Sequence, residues 1–280
     1  MRGRRRPRAR KRGEQRRGRR DGRRRGERRG DRRQRGLGGQ RRGAAGSAGS
    51  AGSDAGAAGS AGSAGSDAGA DATIGDAGVP LNGLGAITGD CGPIDPTEIT
   101  SPSPFTFETV LDFGTQTFDY NALSLGGKQL YDEGNLGGNS LYSEIFSYEV
   151  LYRCELATLL KTETKIEYQD AGGKKTDILV SIDGYKVGVS VTRAYAFPAG
   201  STFTVTAAHD LLAKKLDDIV LSTQNVKPVD AWQKQILHVF AYNQQHEDAL
   251  FQAYPTLPAA TRADTIVMVT LTNGDDDFMY

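Results

Sequence analysis

The stretch from Lys174 to Ala194 places polar side chains together on one face of a predicted β-hairpin. Two runs of alternating apolar residues flank Asp183-Gly184, a dipeptide typical of a two-residue type I′ turn. Such a turn pairs Ile182 with Tyr185 and thereby aligns the two strands. A leucine and a glycine share the polar face, so we expect it to be partly covered and interpret it as a candidate site. The face carries Lys175 opposite Thr192 and Asp177 opposite Ser190.

Six further segments must position this hairpin. Apolar spacing predicts helices and strands in alternation on both sides of it. The predicted helices cover residues 140–156, 204–223 and 246–254, and the predicted strands outside the hairpin cover 159–169, 235–242 and 265–272. The resulting order, α-β-β-β-α-β-α-β, indicates an α/β fold. We predict a mixed sheet flanked by helices, with the first three strands antiparallel and a parallel pair across the 204–223 helix.

This order of elements resembles the core of the restriction-endonuclease-like, PD-(D/E)XK, nuclease superfamily. In that family a helix glutamate, an aspartate of the second strand and the first residue of a D/E-x-K triplet hold Mg²⁺, and the lysine orients or activates water. The resemblance maps the helix acid onto Glu149, with Glu144 as the alternative, and the aspartate onto Asp177. Both residues are therefore expected to bind metal if the domain is active.

The triplet departs from the family pattern, because it maps onto Ser190-Val191-Thr192 and so lacks both the carboxylate and the lysine. Glu167 on the neighbouring predicted strand is an alternative second carboxylate for a hard cation. The positive charge of the missing lysine could instead be supplied from several places. The candidates are Lys175, Arg193, Lys214 and Lys215.

A second resemblance covers about 140 residues from Ser143 onward. The segments VSVTRA, residues 189–194, and LLAKKL, residues 211–216, are its most specific part. They resemble a family of uncharacterised proteins from bacteria and microbial eukaryotes that often carry low-complexity N-terminal extensions. This resemblance supports the fold and implies no activity.

Charge is distributed unevenly along the 280 residues, whose formal net charge is only +1. Residues 1–42 contain 22 basic and 4 acidic side chains, whereas the remainder contains 13 basic and 30 acidic ones. We predict a disordered Arg/Gly-rich tail over 1–42 and a Gly/Ala/Ser-rich linker over 43–104, which includes an identical repeat at 43–55 and 56–68. Residues 105–280 are long enough for a single α/β domain.

The tail allows two interpretations. It lacks aromatic residues and contains a single lysine, so we favour a passive tail or translation upstream of the true start, with an arm that binds nucleic acid as the alternative. The sequence as given contains no signal peptide and no transmembrane segment, and it leaves the compartment open. Cys154 is expected to be a buried thiol and His238 a half-buried structural histidine.

Two functions follow from these observations. The first is a catalytically silent nuclease-like domain that binds nucleic acid or protein, in which Asp177, Ser190 and Thr192 are structural residues. The alternative is a Mg²⁺-dependent nuclease or phosphodiesterase with a rearranged site, in which Glu149 and Asp177 hold the metal. In that case Lys175 or a helix lysine positions water and Arg193 contacts phosphate. The excess of acidic over basic side chains in residues 43–280 disfavours a large phosphate-binding surface and so favours the first hypothesis.

Overall fold

The computed structural model describes residues 78–198 and 200–280. The predictions for the tail over 1–42 and for residues 43–77 of the linker lie outside this part of the chain. Within it, no helix is both long and apolar enough to cross a membrane.

Fourteen helices and strands form the described fold. The strands are β1 (Val79–Pro80), β2 (Ala86–Gly89), β3 (Phe105–Asp112), β4 (Thr158–Thr162), β5 (Ile178–Ile182), β6 (Tyr185–Ala194), β7 (Lys234–Ala241) and β8 (Ile266–Asn273). The helices are α1 (Pro96–Thr100), α2 (Leu125–Glu133), α3 (Leu141–Cys154), α4 (Val205–Asn225), α5 (Gln244–Ala253) and α6 (Ala259–Arg262). From α3 to β8 the order of the main elements is the predicted one, with the short helix α6 added before β8.

All eight strands belong to one mixed sheet in the order β1-β2-β3-β8-β7-β6-β5-β4. Strands β4, β5 and β6 pair antiparallel, whereas β6, β7, β8 and β3 pair parallel. The predicted α/β class with a mixed sheet is therefore confirmed, including the parallel pair on either side of α4. This topology puts the β5–β6 hairpin between the central parallel strands and the β4 edge.

The sheet begins earlier in the chain than predicted. Residues 79–100, which we assigned to the linker, contribute β1, β2 and α1, and β2 pairs antiparallel with β3. These strands are short and glycine-flanked, so their sequence pattern is weak, and their pairing depends on the distant strand β3. Cys154 also differs from the expected free thiol, because it forms a disulfide with Cys91 that joins this early segment to the end of α3.

Helices cover both faces of the sheet. Alternate residues of β7 divide between two apolar clusters, since Ile236 packs with Ile145 of α3 whereas Leu237 packs with Leu212 of α4. His238 of the same strand is fully buried, with its ring nitrogens 2.8 Å from the Ser147 hydroxyl and 2.6 Å from the Thr270 hydroxyl. Its two satisfied hydrogen bonds fit the expected structural role.

The β5–β6 hairpin has the predicted register. Ile182 pairs with Tyr185 and Val180 with Val187, and both turn residues have positive φ, 48° at Asp183 and 82° at Gly184. These values are those of a type I′ turn, which explains the Asp-Gly dipeptide. β5 begins at Ile178, so Asp177 lies immediately before the strand, where its amide still donates to the Val189 carbonyl at 3.0 Å.

Candidate metal centre

Three carboxylates converge beside the start of β5. One oxygen each from Glu144, Glu163 and Asp177 lies within 4.8 Å of the other two. Glu144 is buried, and Glu163 and Asp177 are half-buried. We call these three residues the carboxylate cluster.

The pairing of β4 with β5 brings two of these residues together. Thr162, the last residue of β4, pairs with Ile178, the first residue of β5. Glu163 directly follows the first strand and Asp177 directly precedes the second, so antiparallel pairing makes them neighbours. Glu144 reaches the same place from the first turn of α3.

Each member of the cluster is oriented by a hydrogen bond. The Val191 amide donates to Asp177 Oδ2 at 2.6 Å, and the Asn135 side-chain amide donates to Glu144 Oε1 at 2.9 Å. The Leu136 amide donates to Glu163 Oε2 at 2.8 Å. Asn135 and Leu136 belong to the glycine-rich segment between α2 and α3, so this segment closes over one side of the cluster.

Electrostatics in the cluster disfavours three negative charges. Burial, together with the charge of Glu144, raises the pKa of Asp177 to about 7, and the Val191 amide opposes the shift. Burial likewise raises the pKa of Glu144, against the hydrogen bond from Asn135. Carboxylates so close together retain a proton or bind a cation, because their charges repel in a partly desolvated place.

Lys215 of α4 is the basic side chain that acts on the cluster. Its charge lowers the pKa of both Glu144 and Asp177. The Lys215 ammonium lies 3.5 Å from the carbonyl oxygen of Val191. Val191 is also the residue whose amide donates to Asp177. Lys214, the other helix candidate, is exposed and lies 3.8 Å from Asp218, so of the two only Lys215 approaches the site.

Glu149, the preferred helix acid, lies elsewhere. Its carboxylate is fully buried, accepts from the Ser124 amide at 2.8 Å and forms a salt bridge of 3.1 Å with Arg153. The structure thus brings Glu144, the alternative residue, to Asp177 and leaves Glu149 outside the cluster. Five positions on a helix correspond to a rotation of about 140°, so the two glutamates of α3 point in different directions.

The remaining predicted residues are also separated from the cluster or bound to other groups. The Lys175 ammonium lies 5.9 Å from the centre of the Tyr168 ring, and the Ser190 hydroxyl is 3.1 Å from that of Thr176. Arg193 donates to the Met279 carbonyl. Thr192 is half-buried in β6, and Glu167 pairs with Lys227 at 3.2 Å.

Glu163 is the residue that the sequence did not reveal. The predicted strand continued from 159 to 169, which placed Glu163 in its middle, whereas β4 ends at Thr162. The register between β4 and β5 is shifted between Leu159 and Lys161, an irregularity that has no sequence signature. Glu163 could have been predicted only if the sequence had shown that β4 ends at Thr162.

The donor set fits a hard divalent cation. Magnesium and calcium prefer carboxylate oxygens at about 2.0 to 2.6 Å, so opposite ligands of one ion lie roughly 4 to 5 Å apart. The separation of up to 4.8 Å among the three oxygens lies in this range. Glu144, Glu163 and Asp177 are therefore the residues that would hold such an ion.

Comparison with known proteins leaves the activity open. No protein-family model matches the chain. The AAC-rich mRNA clone AAC4 protein of Dictyostelium discoideum is 42% identical over 153 residues, which cover 52% of this chain and 22% of that relative. Among solved structures, Pyrococcus furiosus SfsA in complex with Ca²⁺ has a TM-score of 0.24 and 10% identity, with 48% of this chain and 57% of that chain covered. Neither description states a reaction.

Proposed function

We propose that this protein is a divalent-metal-dependent phosphodiesterase that cleaves nucleic acid at the carboxylate cluster. The observation that carries the proposal is the convergence of Glu144, Glu163 and Asp177 to within 4.8 Å. Among the described residues, none of the three carboxylates forms a salt bridge with a basic side chain. A cation is the partner that would relieve the repulsion between them.

The resemblance to the restriction-endonuclease-like core supports the same reaction class. That fold uses a helix acid, an acid at a strand start and a third acid, and the cluster supplies one of each kind. Glu144 takes the helix position, Asp177 the strand position, and Glu163 provides the carboxylate that Ser190 lacks. In this proposal the third acid is supplied from the residue that follows β4, and the number of acids is unchanged.

A bound divalent ion would polarise a phosphoryl oxygen and lower the pKa of a coordinated water. The side chains of this protein hold the reacting groups in place. The Val191 amide fixes Asp177, and Asn135 fixes Glu144. Lys215 lies close enough to shift the pKa of both acids, and we assign it the stabilisation of negative charge on the phosphate.

A second candidate is the catalytically silent binding domain that the sequence favoured. The observation on its side is that Ser190 and Lys175 have ordinary structural contacts, with Thr176 and Tyr168 respectively. In this alternative the cluster is a proton-sharing group of acids, and Lys215 is a solvated lysine. Nucleic acid or protein would then bind without being cleaved.

A cleavage assay separates the two functions. Labelled single-stranded and double-stranded DNA and RNA are incubated with the full chain in Mg²⁺, in Mn²⁺ or in EDTA. Asp177→Asn is the test variant, because asparagine keeps an oxygen that accepts from Val191. Asp217→Asn, which makes the same chemical change at an exposed position of α4, is the control.

Cleavage that requires the metal, is lost in Asp177→Asn and is kept in Asp217→Asn supports the phosphodiesterase. A folded wild-type protein that cleaves none of the four substrates in either metal contradicts it and favours the binding domain. Circular dichroism of each variant shows that the comparison is made between folded proteins.

A further inference from the structure

A cleft of about 480 Å³ opens at the end of β6, on the chain segment that leaves this strand. Its volume lies in the range of roughly 300 to 1,000 Å³ that is common for ligand sites. Three of its five lining residues are aromatic and one is basic. The lining residues are Asn139, Arg193, Tyr195, Phe197 and Tyr280.

One wall of the cleft is a packed aromatic group. The rings of Tyr195 and Tyr280 are stacked with centroids 5.3 Å apart, and Tyr242 contacts both rings edge-on, at 5.2 and 5.0 Å. The Tyr280 hydroxyl lies 2.8 Å from that of Thr272. These contacts hold the wall in place before any ligand binds.

Phe197 extends from this wall into solvent. Its side chain is 88% exposed, the highest value among the large apolar residues of the described chain. A single exposed apolar residue needs no explanation by itself. Here the exposed ring shares a cleft with a guanidinium and two tyrosines, which is the composition of a surface on which bases stack.

Arg193 supplies positive charge to the cleft. One of its terminal nitrogens donates to the Met279 carbonyl, and Arg193 forms no salt bridge with any residue in the described ranges. The guanidinium is thus held in place and keeps its charge for an anionic ligand. Planar guanidinium groups match phosphate geometry.

Two short chain segments connect residues of the cleft with residues that hold the carboxylate cluster. On one side, Arg193 lies two residues after Val191 in β6, so the two side chains point to the same face of the sheet. Val191 packs in the apolar cluster that includes α3, and its amide donates to Asp177. On the other side, Asn139 lies next to Ser140, and the Ser140 hydroxyl accepts from the same Asn135 amide that holds Glu144. A nucleic-acid strand that contacts Arg193 would therefore lie against the same two segments that orient Asp177 and Glu144.

We infer that this cleft binds unpaired bases of a single-stranded nucleic acid, with Phe197 and Tyr195 stacking on bases and Arg193 contacting phosphate. The inference rests on the proposed function, which it deepens by naming the substrate class. A base within a duplex is stacked and paired on all sides and cannot place its face against Phe197. The favoured substrate is consequently single-stranded.

The test measures binding in EDTA, where the proposed cleavage cannot deplete the probe. The full chain is titrated into fluorescent single-stranded oligothymidine of about twelve nucleotides, a length typical of such sites. An abasic strand of equal length and a duplex serve as reference probes. The variants are Phe197→Ala, Phe197→Trp and, as the control, Tyr152→Ala, which removes a 42%-exposed aromatic side chain of α3.

Phe197→Ala is expected to weaken binding of oligothymidine about five- to 150-fold, the range that corresponds to removal of an aromatic side chain that stacks on a base. Binding of the abasic strand should change little, because the phosphate contact by Arg193 is retained. Phe197→Trp should preserve affinity, since it keeps an aromatic face, and Tyr152→Ala should match wild type.

Equal losses on the oligothymidine and abasic strands, no loss on either, or wild-type binding of duplex as tight as that of single strand would overturn the inference. The outcome is independent of the cleavage assay. Base-dependent binding without cleavage would disprove the proposed cleavage reaction and support base binding in the cleft. If Phe197→Ala changes neither cleavage nor affinity, base binding in the cleft is disproved and the proposed cleavage reaction still stands.

Discussion

Glu144 and Glu149 lie on the same helix, but the carboxylate of Glu149 contacts a basic side chain whereas that of Glu144 lies near two other acids. Glu149 is fully buried and satisfied by the Ser124 amide and Arg153. Glu144 is also buried, yet it faces Glu163 and Asp177. Its pKa is raised, and burial is the main cause. A buried acid with a matched partner is explained by the fold alone. An acid held against two others destabilises the fold, and such arrangements are concentrated at functional sites.

The largest difference between the two glutamates is expected in stability. Glu149→Ala leaves Arg153 and the Ser124 amide without their buried partner, so the free energy of unfolding should fall by about 3 to 5 kcal/mol. Urea unfolding of the full chain measures this change. A loss below about 1 kcal/mol, the value of an exposed ion pair, would mean that the pair does not stabilise the fold.

The next largest effect is expected on activity. Asp177→Asn should lower metal-dependent cleavage by about 100-fold or more, since even residues that only orient metal ligands cost about 10- to 100-fold. Its stability should be equal to or above that of the wild type without metal, because the substitution removes one of three clustered charges. Single-turnover cleavage and urea unfolding give the two values. A destabilised variant with unchanged cleavage would assign Asp177 a structural role only.

Removal of the nearby cation is expected to have a smaller effect. Lys215→Met keeps the apolar stem of the lysine and removes its charge, so cleavage should fall about tenfold or more, as for other groups that stabilise charge in the transition state. Metal binding should be retained, because no ligand is lost. Lys214→Met, on the exposed side of the same helix, is the matched control. Equal rates for these two variants would remove Lys215 from the mechanism.

The smallest effect is a difference in pH dependence. The folded-state pKa of Asp177, about 7, lies above its ordinary value of 3.8, so the folded state holds the extra proton between these values. Its contribution to stability is therefore present at low pH and is lost as pH rises through about 7. Without metal, Asp177→Asn should gain stability relative to wild type between about pH 4 and pH 7. Unfolding curves across this range check the sign, and a constant difference would contradict the raised pKa.

Much of the fold could be predicted from the chain because its signals are local. The Asp183-Gly184 turn determined the register of β5 and β6, and apolar spacing located α3, α4, β7 and β8. The early strands β1 and β2 were missed, since their few residues become strands only by pairing with each other and, for β2, with β3. The Cys91–Cys154 disulfide has the same long-range origin.

The candidate site was predicted only in part. Asp177 was found because the hairpin fixed its position. The sequence could not show which of Glu144 and Glu149 joins the cluster, because α3 is buried on nearly all sides and its apolar pattern does not reveal which face meets the sheet edge. Glu163 could not be found while β4 was assumed to continue past Thr162.

The most direct test of the account is calorimetric titration of Mn²⁺ into the full chain and into Glu144→Gln and Glu149→Gln. Both substitutions remove one negative charge from the same helix, at the cluster in Glu144→Gln and at the pair with Arg153 in Glu149→Gln. The account predicts saturable binding by wild type and Glu149→Gln and a large loss in Glu144→Gln. Equal binding by all three proteins, or no saturable binding by folded wild type, would contradict a metal centre at Glu144, Glu163 and Asp177.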